Sequence, residues 1–467
     1  MSLLDRTLIS LRRGLRAISG TAYDAAAAAM QPDLPDEDVD DLRQQFRENL
    51  AERGGAVSAR AQAAALGQAY LTLNPIGRHR FLKILADEFD VDEAAIDLAI
   101  QKRSEADTHE QRRRADQALR EALKAPRIRI LTRFNGLESG IKFLVDMRAE
   151  LLPLMQADLT LKGLEQDLKA LLRGWFDVGF LELRQITWET SSAALLEKLI
   201  AYESVHAIES WDDLKNRLDL DRRFFAYFHP NMPDEPLIFV EVALVEDMSG
   251  NVQDLLDPEA PVTDPAHASA AIFYSISNAQ QGLAGISFGN ALIKRVVANL
   301  SQEFPDIKTY ATLSPIPGFR KWLDQRIAEG DSALLTSSER RTLLDAAGQA
   351  RGAKGVFKAW IDETDWHLDG KKAEALRAPL SRLAARYLMT EKGKGGRALD
   401  PVAHFHLSNG ARMERLNWLG DTSKRGLSNA CGLMINYRYR ASDIDENHEA
   451  YSAQQKISAS STIKNFI

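Results

Sequence analysis

The sequence predicts an α+β protein, in which an N-terminal all-α helical bundle over residues 1–176 precedes a domain of mixed sheet and helices over residues 177–467. In the first part, apolar residues recur every three or four positions, which is typical of helices with one buried face. In the second part, runs of β-branched and aromatic residues alternate with helical patterns, as they do in α+β domains. A chain of 467 residues is too long for one hydrophobic core, so two or three domains are expected.

Two apolar stripes define the clearest helices of the first part. The members of the first stripe are spaced by three or four residues: Val39, Leu42, Phe46 and Leu50. Acidic residues at 36–38 precede this stripe, where negative charge stabilises a helix N-terminus. The second stripe has the same spacing: Leu161, Leu164, Leu168, Leu171 and Trp175. Helices of this kind pack against one another, so a bundle is expected.

Four apolar runs predict strands in the second part, at residues 224–228, 236–245, 270–277 and 307–313. A proline-rich connector joins the first two strands, which are therefore expected to form an antiparallel hairpin with a long loop. Helical patterns follow the third strand, at residues 291–303, 320–328, 337–347 and 374–389. This mixture predicts a sheet that is covered by helices.

The composition excludes several classes of function. A net charge of −7 and a pI of about 5.8 give no basic excess for tracking phosphates, so nucleic-acid binding is not expected. No apolar run is long enough to span a membrane. Cys431 is the single cysteine, which excludes an internal disulfide framework and a multi-cysteine zinc site. Arginines among apolar residues at 1–20 fit either an amphipathic transit peptide or a first surface helix.

A glycine-rich turn follows the predicted strand at 270–277 and precedes the helix at 291–303. Glycines at such a position allow backbone N–H groups at a helix N-terminus to approach a phosphate. The pattern therefore suggests a ligand with a pyrophosphate group, although ordinary turn chemistry uses the same residues.

Several uncommon motifs resemble the malonyl-CoA decarboxylase family. They are His-Pro-Asn-Met-Pro-Asp-Glu-Pro at 229–236, Gln-Gln-Gly-Leu-Ala-Gly at 280–285, Ser-Pro-Ile-Pro-Gly-Phe at 314–319, Phe-His-Leu-Ser-Asn-Gly at 405–410 and Cys-Gly-Leu-Met-Ile-Asn-Tyr-Arg-Tyr at 431–439. The similarity extends in register from about residue 140 to about residue 452. The chain is therefore identified as a member of this family.

The resemblance implies a fold, a reaction and a set of partners. It implies a GNAT-type (acetyltransferase-like) sheet, whose strands diverge to admit the pantetheine arm of a CoA thioester. It also implies conversion of malonyl-CoA to acetyl-CoA and CO2 through a thioester enolate that a histidine protonates. No metal or organic cofactor is expected, because the thioester carbonyl accepts the electron pair. The resemblance further implies a homo-oligomer, either a dimer or a tetramer, whose subunits contact each other through the helical part. A cytoplasmic location is also expected.

Three residues match the family's catalytic positions. Ser314 follows an apolar strand, and Pro315 and Pro317 restrict its backbone and so fix the direction of its hydroxyl. The resemblance implies that Ser314 contacts the malonyl group, that His406 donates the proton to C2, and that Tyr439 orients one of the two. Without the resemblance, Ser314 would be a serine that starts a proline-rich turn, and Tyr439 an aromatic core residue.

The sequence around His406 bears on two further questions, a possible metal site and the protonation of the imidazole. If residues 403–407 are extended, His404 and His406 share one face of a strand. Two such histidines can begin a metal site, but no further ligand pattern completes one here. A histidine with an ordinary pKa of about 6.5 keeps a protonated fraction near neutral pH, which suits a general acid.

The family's CoA-binding loop corresponds to seven consecutive residues: Ala284, Gly285, Ile286, Ser287, Phe288, Gly289 and Asn290. The chain departs from the usual acetyltransferase loop pattern, because the closest frame begins with Ala279. Two other functions share the expected fold. One is a GNAT-type acyl-CoA transferase, whose turnover would depend on an added acceptor. The other is a CoA-sensing interaction protein without catalysis.

Overall fold

A computed structural model describes residues 30–51, 55–286 and 291–467 of the chain. The predicted transit peptide or surface helix at 1–20 lies outside the described residues. Within the described ranges, no helix combines the length and the apolar character that crossing a membrane requires.

The described N-terminal part is helical, as predicted. Its helices are α1 Asp36–Leu50, α2 Ala56–Thr72, α3 Pro75–Asp87, α4 Glu93–Ser104, α5 His109–Ala122, α6 Pro126–Phe134, α7 Gly140–Ala157 and α8 Lys162–Trp175. Local sequence explains several of the helix starts. Asn74 accepts hydrogen bonds from the backbone N–H groups of Ile76 and Gly77 at the start of α3, and Thr108 forms a capping box with Gln111 at the start of α5.

The two predicted stripes are mostly buried. Val39, Leu42 and Phe46 of α1 are buried, and the ring of Phe46 lies 5.1 Å from that of Phe81 in α3. Leu164 and Leu168 of α8 are also buried. At the end of that stripe, Leu172 rather than Leu171 is buried, because the periodicity of a helix drifts from a strict three-four repeat.

The C-terminal part contains an eight-stranded mixed sheet. Its strands are β1 Glu182–Ile186, β2 Arg222–Phe228, β3 Ile238–Val245, β4 Ala270–Asn278, β5 Thr309–Thr312, β6 Ser314–Pro315, β7 Arg412–Asn417 and β8 Met434–Tyr439. The strand order is β1-β2-β3-β4-β5-β8-β6, and β7 also pairs with β8. Strands β2 and β3 are antiparallel, which confirms the predicted hairpin. The α+β class is therefore confirmed.

The middle of the sheet changes its pairing at one point. Strand β4 runs parallel to β5, and the paired residues are 270–273 and 309–312. Strand β4 then continues to Asn278, whereas the other chain segment leaves β5 after Thr312 and forms β6 with Ser314. Strand β8 is antiparallel to β5, to β6 and to β7. Ser314 thus follows directly after the end of the parallel pairing.

Helices connect and flank these strands. They are α9 Ala193–Tyr202, α10 Trp211–Asn216, α11 Val252–Leu256, α12 Ala291–Glu303, α13 Phe319–Ala328, α14 Ser337–Ala347, α15 Ala353–Asp362, α16 Gly370–Thr390, α17 Pro401–Ser408, α18 Lys424–Ala430, α19 Ile444–Gln454 and α20 Ser461–Lys464. One face of the sheet packs on a core that includes Ile272, Tyr274, Leu313 and Met434.

The chain divides into two compact units. The first unit contains the described parts of residues 1–182, 228–237 and 278–288. The second unit contains residues 183–227, 238–277 and the described part of 289–467. The predicted domain boundary between residues 176 and 177 stays a prediction.

Candidate active site

Ser314 and His406 lie in hydrogen-bond contact within the second unit, although 92 residues separate them in the sequence. The distance from Ser314 Oγ to His406 Nε2 is 3.1 Å. Ser314 is supplied by β6 and His406 by α17. Both side chains are largely buried, with 5% and 3% of their surface exposed. The structure therefore brings together the two residues that the sequence proposed as catalytic.

The segment with His406 is helical, so the extended conformation considered for residues 403–407 is not the one that the chain adopts. Asp400 caps α17 by accepting hydrogen bonds from the backbone N–H groups of Val402 and Ala403, at 3.0 and 2.9 Å. Pro401 occupies the first turn, where its missing N–H costs nothing. An aspartate followed by proline is a helix-start signal, and it outweighs the strand-like alternation of residues 403–407.

The helical geometry also separates the two histidines. Residues two positions apart in a helix point in different directions, so His404 and His406 do not share a face. His404 Nδ1 lies 2.9 Å from the hydroxyl of Tyr451, whereas His406 contacts Ser314. The premise for a two-histidine metal site is therefore wrong.

Asp400 also contacts the segment that follows Ser314. Its second carboxylate oxygen lies 3.4 Å from the backbone N of Gly318 and 3.4 Å from the hydroxyl of Tyr387. A Cβ at Gly318 would lie 2.1 Å from the Tyr387 hydroxyl, so a larger residue at this position would displace the Tyr387 side chain. Burial raises the pKa of Asp400, while the backbone N–H donors lower it.

Two tyrosines of β8 complete the surroundings of His406. The hydroxyl of Tyr439 lies 2.8 Å from His406 Nδ1. The ring of Tyr437 stacks on the imidazole, with 4.6 Å between the ring centroids and an angle of 23° between their planes. The two ring nitrogens of His406 thus contact different partners, Ser314 at Nε2 and Tyr439 at Nδ1.

Burial keeps His406 neutral. It lowers the pKa of His406 to about 3, because the interior disfavours the charged imidazolium. The expectation of a protonated fraction near neutral pH, which assumed an ordinary pKa, is therefore wrong for this environment. Burial also raises the pKa of Tyr439 far above its ordinary value, so its phenol keeps its proton.

Sequence reasoning missed one polar neighbour of Ser314. Thr312 Oγ1 accepts a hydrogen bond from Ser314 Oγ at 2.8 Å and another from the backbone N–H of Tyr437 at 3.1 Å. Thr312 is fully buried in the structure. A hydroxyl residue two positions before a serine on a strand was the available signal, since alternate residues of a strand share a face.

The described part of the predicted CoA-binding loop lies in the first unit. Ala284, Gly285 and Ile286 follow a 3-10 turn at Gln281–Leu283, and Gly285 has a φ of +71°, which favours glycine. The other four residues of that prediction lie outside the described residues: Ser287, Phe288, Gly289 and Asn290.

A buried arginine fixes this turn to the helices of the first unit. Arg148 of α7 donates hydrogen bonds to the carbonyl oxygens of Gly282 and Ala284 and forms an ion pair of 2.7 Å with Glu165 of α8. Gly282 packs so closely on α7 that a Cβ would lie 1.7 Å from the carbonyl oxygen of Val145. Only glycine fits this position without a backbone shift.

A lysine of the first unit also lies against the turn. The Nζ atom of Lys169 in α8 is 3.1 Å from the point that a Cβ on Gly285 would occupy. The ammonium group therefore lies beside the glycine with the left-handed backbone. The sequence offered no signal for this contact, because Lys169 and Gly285 are far apart in the chain.

These features define an α+β protein with a buried serine–histidine pair at the point where a parallel strand pair ends. Comparison with known proteins identifies the family. The model of the malonyl-CoA decarboxylase C-terminal domain matches residues 179–467, and that of its N-terminal domain matches residues 89–176.

Individual relatives and solved structures agree with this match. The mitochondrial malonyl-CoA decarboxylase of Rattus norvegicus is 35% identical over 100% of this chain and 97% of its own length. That of Anser anser anser is 41% identical over 73% of this chain and 69% of its own length. The crystal structure of malonyl-CoA decarboxylase from Rhodopseudomonas palustris is 41% identical and has a TM-score of 0.83, covering 91% of this chain and 99% of that chain. The corresponding Agrobacterium vitis structure is 39% identical with a TM-score of 0.82, at the same coverage. The chain therefore belongs to the malonyl-CoA decarboxylase family, as its motifs predicted.

Proposed function

We propose that this protein is a carboxy-lyase that converts malonyl-CoA to acetyl-CoA and CO2. Family membership supports the reaction, and the contact of 3.1 Å between Ser314 Oγ and His406 Nε2 is the structural observation on which the proposal depends. The net reaction consumes the malonyl thioester carboxylate and one proton, and it releases acetyl-CoA and CO2. It needs no oxidant and no reductant.

The chemistry requires a proton donor rather than a charged acid. Loss of CO2 leaves an electron pair delocalised over C2 and the thioester carbonyl, and C2 must then receive a proton. We propose that His406 Nε2 is the source of that proton, since the N–H group of a neutral imidazole is a far stronger acid than the methyl group of a thioester. Neutral histidine is an established electrophilic group in enzymes, as in triosephosphate isomerase. Solvent restores the proton to the imidazole before the next turnover.

Ser314 is proposed to contact the malonyl group, and Tyr439 to orient the imidazole. The hydroxyl of Ser314 lies on the Nε2 side of His406, and Tyr439 holds the opposite nitrogen at 2.8 Å. This arrangement supports a donor whose direction is fixed by two partners. An oriented general acid typically contributes about 10²- to 10⁴-fold to a rate.

We propose that the sheet is of the GNAT type and that the pantetheine arm of the CoA thioester enters between its diverging strands. The limited parallel pairing between residues 270–273 and 309–312, followed by separate paths of the two segments, supports a sheet that diverges at this point. The turn at 284–290 is proposed to contact the CoA pyrophosphate, and the ammonium group of Lys169 adds positive charge beside Gly285.

The remaining partner predictions stay proposals. The family resemblance supports a homo-oligomer with contacts through the helical part and a cytoplasmic location. The absence of a required cofactor is proposed because the thioester carbonyl accepts the electron pair. The two curated relatives named above are mitochondrial by name. Transfer of an acyl group to an acceptor, the alternative function, is not favoured by any contact of Ser314 or His406 described above.

Incubation of the purified protein with malonyl-CoA in heavy water tests the function. We expect acetyl-CoA with one deuteron introduced at C2 by the enzyme, without an added acceptor or metal. Ser314→Ala should lose at least tenfold in kcat, whereas Ser428→Ala on the exposed surface of α18 is the matched control. No turnover of malonyl-CoA by the intact protein at any pH from 6 to 9 would contradict the proposal.

A further inference from the structure

The hydrogen bonds around His406 have a direction that determines where its proton lies. Ser314 Oγ donates to Thr312 Oγ1 at 2.8 Å. Thr312 is held firmly in place, since its Oγ1 also accepts from the backbone N–H of Tyr437 and its carbonyl oxygen accepts from Asn436 Nδ2 at 2.7 Å. Two consecutive residues of β8, Asn436 and Tyr437, thus fix the acceptor for the Ser314 hydroxyl.

The direction of the first bond determines the next two. A serine hydroxyl has one proton, so a Ser314 hydroxyl that donates to Thr312 can only accept a hydrogen bond from His406. His406 Nε2 must therefore bear the proton in the contact of 3.1 Å. A neutral imidazole has a single N–H group, so Nδ1 is an acceptor, and the hydroxyl of Tyr439 donates to it at 2.8 Å. The donors run in one direction, from Tyr439 through His406 and Ser314 to Thr312.

We propose that Thr312 is a positioning residue that holds resting His406 in the tautomer with its proton on Nε2. The catalytic part of this inference rests on the proposed decarboxylase function, whereas the tautomer itself does not. The assignment has a chemical consequence. A serine becomes a nucleophile when a histidine nitrogen without a proton accepts the serine proton. In this arrangement the nitrogen that faces Ser314 already bears a proton, so the pair is set to donate a proton and not to form a serine ester.

The same geometry explains how one site avoids acyl transfer while it handles a thioester. Protonation of C2 breaks the Nε2–H bond and forms a C2–H bond, and Ser314 undergoes no covalent change. If the acceptor on Thr312 is removed, the Ser314 hydroxyl is free to turn toward Nε2. The imidazole then shifts its proton to Nδ1, which would donate to the oxygen of Tyr439, and the donor that faces Ser314 is lost.

Nitrogen-15 NMR of the full-length protein with labelled histidine side chains tests the tautomer without any substrate. The His406 signals are assigned by difference from His406→Gln. We expect a protonated Nε2 and an unprotonated Nδ1 in the intact protein. Thr312→Val, which has nearly the same shape but no acceptor, should move the proton to Nδ1, whereas Thr312→Ser should leave it on Nε2. Retention of the Nε2 proton in Thr312→Val would refute the proposal.

Kinetics with malonyl-CoA separates positioning from a general structural role. We expect Thr312→Val to lose at least tenfold in kcat with a KM within threefold of the intact protein, and Thr312→Ser to keep both values within threefold. Equal kcat values for the two variants, within twofold, would contradict the inference. If the intact protein fails to act on malonyl-CoA, the proposed function is wrong, but the tautomer measurement still decides the role of Thr312.

Thr312→Val leaves the backbone N–H of Tyr437 without its acceptor and could therefore fail to fold. A second variant keeps the proposal testable in that case. Tyr439→Phe removes the donor on the opposite side of the imidazole. If Thr312 sets the tautomer through Ser314, the proton stays on Nε2 in Tyr439→Phe. A mixture of tautomers in this variant would assign the control to Tyr439 and overturn the proposal.

Discussion

The Ser314–His406 centre and the glycine turn at 281–286 are built in opposite ways. The centre gathers side chains from separate strands and a helix, and its hydrogen bonds join neutral groups in a buried place. The turn is one short segment, and the buried cation of Arg148 holds its backbone carbonyl oxygens. The proposed proton transfer thus depends on neutral side chains that are oriented by hydrogen bonds. The proposed phosphate contact depends instead on a backbone segment that the charged side chain of Arg148 holds in place.

Replacement of the imidazole is expected to have the largest effect. His406→Gln should lower kcat by about 10²- to 10⁴-fold, the usual value of an oriented general acid, and change KM by less than threefold. Steady-state assays with malonyl-CoA measure both parameters. The matched control is His404→Gln, two residues away in α17 and in contact with Tyr451 instead. A comparable loss of kcat in the control would remove the distinction between the two histidines.

A methyl group on the turn should have the next largest effect, and it should act on stability and binding instead of chemistry. Gly282→Ala places a Cβ 1.7 Å from the Val145 carbonyl oxygen, which forces a backbone shift. Overpacking of this kind costs about 1–3 kcal/mol. We expect a Tm lower by several degrees and a KM for malonyl-CoA at least fivefold higher. Gly174→Ala on α8, where a Cβ meets no atom within 4 Å, should change neither value.

Removal of the ammonium group beside Gly285 is expected to have a smaller effect. Lys169→Ala should raise KM for malonyl-CoA about fivefold, which corresponds to about 1 kcal/mol, and leave kcat within twofold. Lys162→Ala, an exposed residue at the start of the same helix, is the control for a general change of charge. The same fivefold change in both variants would show that Lys169 acts only through net charge.

The smallest expected effect is that of pH on the chemical step. Because the pKa of buried His406 is about 3, the imidazole stays neutral from pH 6 to pH 8, and kcat should change less than twofold across this range. An imidazolium acid with the ordinary pKa of about 6.5 would instead lose nearly tenfold in kcat for each pH unit above that value. The pH profile of kcat therefore decides which form of His406 donates the proton.

The sequence predicted those features whose cause is local. The strands at residues 238–245 and 270–278 were predicted because their β-branched and aromatic residues form long apolar runs. The helix around His406 was not among the predicted helices, because residues 403–407 alternate as they do in a strand, whereas Asp400 and Pro401 start a helix. The family motifs identified Ser314 and His406, but nothing in one sequence shows that two residues 92 positions apart lie within 3.1 Å of each other.

Features that depend on burial or on distant contacts could not be predicted. The low pKa of His406 results from its removal from water, which is a property of the folded chain alone. Arg148 reads in the sequence as an ordinary helix residue, yet its partners Gly282 and Ala284 lie more than 130 positions away. The position of Thr312 two residues before Ser314 was visible in the sequence, but the direction of its hydrogen bond with Ser314 was not.

The single carboxylate of Asp400 ties the helix of His406 to the backbone at Gly318, four residues after Ser314. Movement of either segment away from the other would therefore break a contact with Asp400. We therefore expect turnover to be lost on warming in a single transition that coincides with thermal unfolding of the second unit. No partly unfolded intermediate with reduced activity should accumulate at lower temperatures.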